Sequence, residues 1–256
     1  MGTCRFASKT AIVTGAAGGI GRATALRLAG EGSCVLAVDI KQDELAETID
    51  LSGGPEVVPI IADLTDRDAP ATIVDKALAQ FGGMDILINN AGISGRNRSG
   101  GDVDDQQWDA VVDMNASSVY RMARAALPHL PRPGGKIVNI SSVFGLVGFP
   151  GSPAYAAAKG AVAQLTRQMA SDYATDGINI NAIAPGVIET AMTRDSINND
   201  PWYHDAMIKN APMGIGQPDD VAGVIAFLCS DDARYVNGQV IAVDGGWSTT
   251  RYWPKP

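Results

Sequence analysis

The sequence has little of what builds a metal centre or a disulfide framework. Its three cysteines, Cys4, Cys34 and Cys229, are odd in number and far apart, and its two histidines, His129 and His204, are isolated. No Cys-x-x-Cys or paired His/Cys spacing occurs, so no metal site is expected. Cys34 and Cys229 read as small buried hydrophobes and Cys4 as a terminal thiol, as in a reducing compartment. No apolar stretch approaches the roughly twenty residues of a membrane span, and Met1 to Ser8 is too short for the apolar region of a secretory signal. Long basic runs are also missing and the formal net charge is −8. That balance counts against nucleic acid or an anionic membrane surface as the main partner. A soluble, cytoplasmic protein acting on a small molecule is expected, with all 256 residues in one domain of ample core.

Alternating strand and helix signals are what the chain does have. Lys9 to Val13 reads as a strand that runs into the turn Thr14-Gly15-Ala16-Ala17-Gly18-Gly19-Ile20-Gly21, followed by a helix to about Gly30. Glycines there let the backbone approach a pyrophosphate, and the helix N-terminus offers amides and a favourable dipole. The next strand, Cys34 to Val38, ends at Asp39, where an acid would hydrogen-bond an adenosine ribose. A carboxylate at that place suits a free 2′-hydroxyl and repels a 2′-phosphate, so NAD is expected as the cofactor, with Lys41 the nearby residue that works against the choice. Val57 to Ala62 reads as a third strand ending at Asp63-Leu64, with Asp63 placed to accept from an adenine amine. A helix over Asp66–Phe81, a stop at Gly82-Gly83 and a fourth strand over Asp85–Ile88 follow, ending in Asn89-Asn90-Ala91-Gly92. This alternation implies a parallel, doubly wound α/β sheet with its site at the strand C-terminal ends.

The candidate chemistry lies between Ser142 and Lys159. Tyr155-Ala-Ala-Ala-Lys159 falls in an alanine-rich helical segment, which puts the two functional side chains one turn apart on one face. A free phenol has a pKa of about 10 and is a poor base near neutrality; a neighbouring ammonium favours the phenolate. Upstream, Lys136 to Ser142 is a short β-branched run ending in two hydroxyls, of which Ser142 could bond a reacting oxygen.

Taken in order and spacing, Thr14-Gly-x-x-x-Gly-x-Gly21, Asn89-Asn-Ala-Gly92, Asn115, Ser142, Tyr155-x-x-x-Lys159 and Pro185-Gly186 resemble the short-chain dehydrogenase/reductase family from about Lys9 to Trp247. The resemblance implies a single-domain Rossmann-type fold with a seven-stranded parallel sheet flanked by helices, and commonly a homotetramer. It implies that Tyr155 is the acid/base, that Lys159 lowers its pKa and binds the nicotinamide ribose, and that Ser142 orients the substrate oxygen. Asn115 matches the residue that interrupts a long helix and holds a water leading from Lys159 to solvent. Gly15, Gly19, Ile20 and Gly21 are assigned to the pyrophosphate turn, Asp63, Leu64 and Asn90 to the adenosine side, and Ile188 to the nicotinamide. Asn89-Asn90 is also expected to hold the sheet centre together.

Two segments carry the substrate expectations. Ile93 to Gly101 is a glycine-rich loop in which Ser94, Arg96 and Arg98 could meet an anionic group; the alternative is two solvated arginines. Residues 191–217 resemble the family's substrate lid, where Trp202 either closes over an apolar part of the substrate or packs the lid's own small core. Phe144 and Phe149 are further candidates for the pocket wall. The expected function is NAD-dependent oxidation of a secondary alcohol, sugar, polyol or hydroxy acid. The alternatives are an NADPH-dependent 3-oxoacyl-acyl carrier protein reductase and a non-catalytic NAD-binding scaffold or sensor.

Overall fold

The computed structural model describes residues 4–54, 56–95 and 99–250; Arg96 and Arg98 lie outside them. The strands are β1 Thr10–Thr14, β2 Cys34–Asp39, β3 Val57–Ile61, β4 Ile86–Asn89, β5 Lys136–Ile140, β6 Asn179–Pro185 and β7 Val240–Val243. They form one parallel seven-stranded sheet in the order β3-β2-β1-β4-β5-β6-β7. The helices are α1 Gly19–Gly30, α2 Gln42–Ser52, α3 Ala69–Phe81, α4 Asp105–Val112, α5 Ser118–Ala126, α6 Pro153–Asp172, α7 Arg194–Asn199, α8 Pro201–Tyr203 and α9 Pro218–Cys229. Among the described residues no helix is long and apolar enough to cross a membrane.

Side-chain alternation along the central strands explains the layering. Val13, Ala37, Ile88 and Val138 face one layer with Leu28 of α1 and Val221, Ile225 and Leu228 of α9. Ile12, Leu36, Leu87 and Ile137 face the other, with Ile73 of α3, Met122 of α5 and Met169 of α6. Strands covered on both faces need apolar residues at nearly every position, and β1, β4 and β5 are buried throughout.

The order of the sheet reverses at β1 and β4: the chain winds outward through β2 and β3, then returns to the other side of β1. In such a sheet a crevice opens beyond the C-terminal ends of the strands at that point. Thr14 closes its floor. Its buried hydroxyl donates to the Ile88 carbonyl at 3.1 Å and accepts from the N–H groups of Asn90 at 2.9 Å and Ala91 at 3.1 Å. On the β5 side, buried Asn89 donates to Asn139 Oδ1 at 2.9 Å and Asn139 donates to Thr166 Oγ1 at 3.0 Å, joining β4, β5 and α6.

Several boundaries differ from the sequence expectation. Helix α3 opens at Ala69 rather than Asp66, because Asp66 accepts from the Asp68 N–H at 3.0 Å and holds a turn there. Strand β6 carries Asn179 and Asn181, residues that disfavour strands and hide its pattern. Their amides are spent on the neighbouring loop: Asn181 donates to the Val236 carbonyl at 2.9 Å and accepts from Gln239 N at 3.0 Å. Cys229 is buried as expected, Cys34 half-buried and Cys4 exposed.

Asn139→Ala would strip the Asn89 amide of its close acceptor and Thr166 of its donor while both stay buried. The expected cost is about 2 kcal/mol of unfolding free energy, read as a lower urea midpoint at unchanged slope.

Candidate active site

A cavity of about 440 Å³ runs along the crevice. Asp39 and Asp63, at the ends of β2 and β3, lie toward one end, Gly18, Gly19 and Ile20 in the middle, and Ser142, Tyr155 and Lys159 beyond the end of β5. Gly15, Leu64, Asn90, Asn115 and Ile188 also line it.

The glycine turn is shaped by contacts that tolerate no side chain. Gly15 and Gly19 have φ of +68° and +52°, in the left-handed region. A Cβ on Gly21 would strike the Gly15 carbonyl oxygen and the Asn90 amide, so Gly21 shapes the turn from behind rather than lining the cavity. Asn90 ties the turn to β4 by donating from Nδ2 to the carbonyls of Thr14 at 2.9 Å and Gly15 at 3.2 Å. Gly18, the N-cap of α1, has no side chain to cap the helix, and nothing lies within 4 Å of where its Cβ would be. Gly18, Gly19 and Ile20 line the cavity at the start of α1, and no acidic residue stands in that turn, which fits a bound pyrophosphate.

Asp39 accepts from Ala17 N–H at 2.9 Å through one oxygen and from Lys41 N–H at 3.0 Å through the other. The Lys41 ammonium is 3.7 Å from Glu44. Asp63 accepts from both the N–H and the hydroxyl of Thr65, which hold its carboxyl below the usual range. Both bonds use the same oxygen, Oδ1.

At the other end, Asn115 sits in a π-turn, Asp113–Ser117, between α4 and α5. Its side chain donates to the carbonyls of Ile93 and Val111 at 3.0 Å each and accepts from Ile93 N–H at 3.1 Å. The interrupted helix and the strand after β4 are thus stitched together beside Lys159. Helix α6 carries Tyr155 and Lys159 on one face, with Lys159 Nζ 5.7 Å from the Tyr155 ring centre. The ammonium donates to the Ile140 carbonyl at 2.7 Å, and Ser141 Oγ donates to the Lys159 carbonyl at 2.8 Å. Burial brings Lys159 down to about 8. Burial also raises the Tyr155 phenol; the opposing influence is its hydrogen bond with Ser142.

The substrate candidates separate into groups. Ser94 is exposed and does not line the cavity, whereas its neighbour Ile93 does. Phe144 and Phe149 lie outside the cavity lining, in an aromatic cluster with Tyr155. Phe144 meets the Tyr155 ring edge-on at 6.4 Å and stacks on Phe149 at 4.7 Å, and Trp202 leans on Phe149 at 5.5 Å. Trp247, which motif reading did not mark, joins both phenylalanines at 6.2 and 5.6 Å. Its only sequence signal is its place after Asp244-Gly245-Gly246, a turn whose packing cannot be read from spacing. Tyr203, next to Trp202, has its phenol pushed up to about 12, mainly by burial and then by Tyr155 and Asp200. Ala191, Met192 and Thr193 line the cavity after the Pro185-Gly186 turn.

A strand-turn-helix phosphate cradle and a Ser-Tyr-Lys group in one crevice define a nucleotide-dependent oxidoreductase site, and the comparisons name the class. A family model described as enoyl-(acyl carrier protein) reductase matches residues 15–248. The chain is 39% identical over 246 residues to a 3-oxoacyl-acyl-carrier-protein reductase of Thermotoga maritima, covering 94% of this chain and 98% of that one. It is also 39% identical over 247 residues to a cis-4-hydroxycyclohexanecarboxylate dehydrogenase of Sinomonas cyclohexanicum, covering 95% and 98%. Levodione reductase superposes with a TM-score of 0.91 at 35% identity, covering 96% of this chain and 99% of that one. This chain belongs to the short-chain dehydrogenase/reductase family, enzymes that bind a nicotinamide cofactor and interconvert alcohols and carbonyls on small molecules.

Gly21→Ala should push the Gly15 carbonyl and the Asn90 amide out of place. Fluorescence titration should show NADH and NADPH both bound at least about tenfold more weakly, a loss of about 1.4 kcal/mol.

Proposed function

We propose that this chain is an NAD-dependent dehydrogenase that oxidises the carbinol of a secondary alcohol, sugar, polyol or hydroxy acid, with carbonyl reduction as the reverse. The observation that carries this reading is one cavity lined by Ser142, Tyr155 and Lys159 at one end and by Asp39 at the other. The relatives include an enzyme named for a hydroxycyclohexanecarboxylate substrate, which agrees with a carbinol donor.

Bound cofactor supplies the hydride acceptor. Gly15, Gly18, Gly19 and Ile20 would hold its pyrophosphate, Asp39 its ribose, Asp63, Leu64 and Asn90 its adenosine side, and Lys159 and Ile188 its nicotinamide side. Ser142 donates to the substrate oxygen and holds it against Tyr155. The phenolate of Tyr155 takes the hydroxyl proton as the C–H bond breaks, and returns it to the oxygen in reduction. Asn115 keeps the helix open beside Lys159, by which protons exchange with solvent. The same reading takes residues 1–256 as one domain, with a substrate lid over about 191–217, working as a cytoplasmic homotetramer.

Preference for NAD rests on charge. The Asp39 carboxylate disfavours a 2′-phosphate, and Lys41 is paired with Glu44. Arg22 is the nearest guanidinium along α1, and it is committed to the Ala17 and Glu44 carbonyls, Glu47 and Thr48. Asp39→Ala should therefore lower the NAD/NADP ratio of kcat/KM by at least about tenfold, near 1.4 kcal/mol of discrimination. An unchanged ratio would refute the ribose assignment.

A second reading, reduction of a 3-oxoacyl thioester with NADPH, is favoured by the Thermotoga relative's name. Asp39 and the net charge of −8 weigh against it, since an acidic carrier and a 2′-phosphate would both meet like charge. Purified protein offered secondary alcohols with NAD, and an acetoacetyl thioester with NADPH, separates the two; NADH binding without turnover in either assay would indicate a sensor.

The proton role has its own signature. Oxidation needs the phenolate, and burial raises Tyr155, so kcat for oxidation should climb with pH through neutrality while reduction, which uses the phenol, stays level. Ser142→Ala removes the bond that lowers the phenol and should move the rising limb to higher pH. Tyr155→Phe should cost about 10²–10⁴ in kcat at every pH.

A further inference from the structure

The aromatic cluster beside Tyr155 is not part of either hydrophobic core. Phe144, Phe149 and Trp247 are only half-buried, and Trp202 is 47% exposed. Aromatics are only 6% of the chain, yet two of its four tryptophans and two of its five phenylalanines meet here. Burying such rings fully would have contributed more to stability, so their partial exposure next to the reacting phenol is informative.

Three distant segments bring the rings together, and each is held by local hydrogen bonds. Phe144 follows Ser142, whose Oγ accepts from the Phe144 N–H at 3.2 Å. Trp202 opens α8, where Asp200 accepts from the N–H groups of Trp202 at 3.0 Å and Tyr203 at 3.1 Å. Trp247 lies in a turn built on Asp244. That carboxylate accepts from Gly246 N–H at 2.9 Å, Ser248 N–H at 2.8 Å and Ser248 Oγ at 2.5 Å, with Gly245 and Gly246 at φ of +62° and +87°. The turn docks against Gly186, where a Cβ would come within 2.8 Å of Asp244 Cα. Residues 143–154 carry no charge, and residues 200–208 and 244–250 carry Asp200, His204, Asp205 and Asp244 but no Lys or Arg.

We infer that Phe144, Phe149, Trp202 and Trp247 form a cup for a neutral, apolar ring on the substrate, and that Trp247 is a specificity-determining residue for that ring. The ring of a cyclic secondary alcohol lies against these faces while its carbinol reaches Ser142 and Tyr155. Flat π-faces match a ring better than a flexible chain, which loses more rotational freedom on binding. A polyol finds few hydrogen-bonding partners in the cup, and residues 143–154, 200–208 and 244–250 bring no Lys or Arg to pair with an anion. This inference rests on the dehydrogenase reading, whose substrate class it narrows.

The test compares cyclohexanol with 2-hexanol and with a polyol of the same carbon count, in wild type and in Trp247→Ala and Trp247→Phe, by NADH formation. Wild type should favour cyclohexanol in kcat/KM by at least about tenfold. Trp247→Ala should raise its KM about tenfold with kcat within about threefold and erase the ring preference, and Trp247→Phe should restore most of it. The KM for NAD should not move. An unchanged ring/chain ratio in Trp247→Ala, equal losses on both alcohols, or a wild-type preference for the polyol would overturn the inference. Saturation-transfer NMR with cyclohexanone and 2-hexanone needs no turnover and tests the cup separately. If no alcohol is oxidised, the dehydrogenase reading fails, and the cup stands only if wild type binds the cyclic ketone more tightly than Trp247→Ala does.

Discussion

The Thr14 hydroxyl ties β1 to β4 at the place where the sheet reverses its winding, and the site is built outward from that bond. Because it donates to the Ile88 carbonyl and accepts from two amides beyond it, the strands separate at a fixed point. Asn90 returns two bonds from its side chain to the end of β1, so the glycine turn and the strand after β4 are positioned as one unit. The Asn89, Asn139 and Thr166 relay extends the same fixation to β5 and α6, and through α6 to Tyr155 and Lys159. The glycine turn and the face of α6 bearing Tyr155 and Lys159 are therefore placed relative to each other by buried and part-buried polar bonds.

The electrostatics of the site follow from its burial. Lys159 is buried and Tyr155 half-buried, and the loss of water weakens the charged form of each. Lys159 finds a partner in the Ile140 carbonyl, and Tyr155 finds one in Ser142. A phenol raised by burial favours its acid form at rest. At the other end, Asp39 accepts from the glycine turn and from the Lys41 amide, and its carboxylate lines the cavity.

Much of this was legible in the chain, and the reasons differ from residue to residue. Gly15, Gly19 and Gly21, Asp39, Ser142, Tyr155 and Lys159 announce themselves because local geometry restricts residue type: a left-handed φ, a carbonyl too close for a Cβ, a strand end, one helical turn. Asn115 was legible from the family pattern, and its π-turn supplies the physical meaning. Strand β6 was hidden by asparagines whose bonds go to residues more than fifty positions away.

The sequence alone determined the alternation of strands and helices, the glycine turn after β1 and the placing of Tyr155 and Lys159 one helical turn apart, since each depends on contacts within a few residues or on a periodicity of two or 3.6. Only the tertiary structure decided that Gly21 shapes the turn from behind and that Lys159 is held by the Ile140 carbonyl. It alone brought Trp247 to Phe144 and Phe149. Those outcomes depend on burial and on which distant segments meet, and a side chain's spacing along the chain carries no record of either.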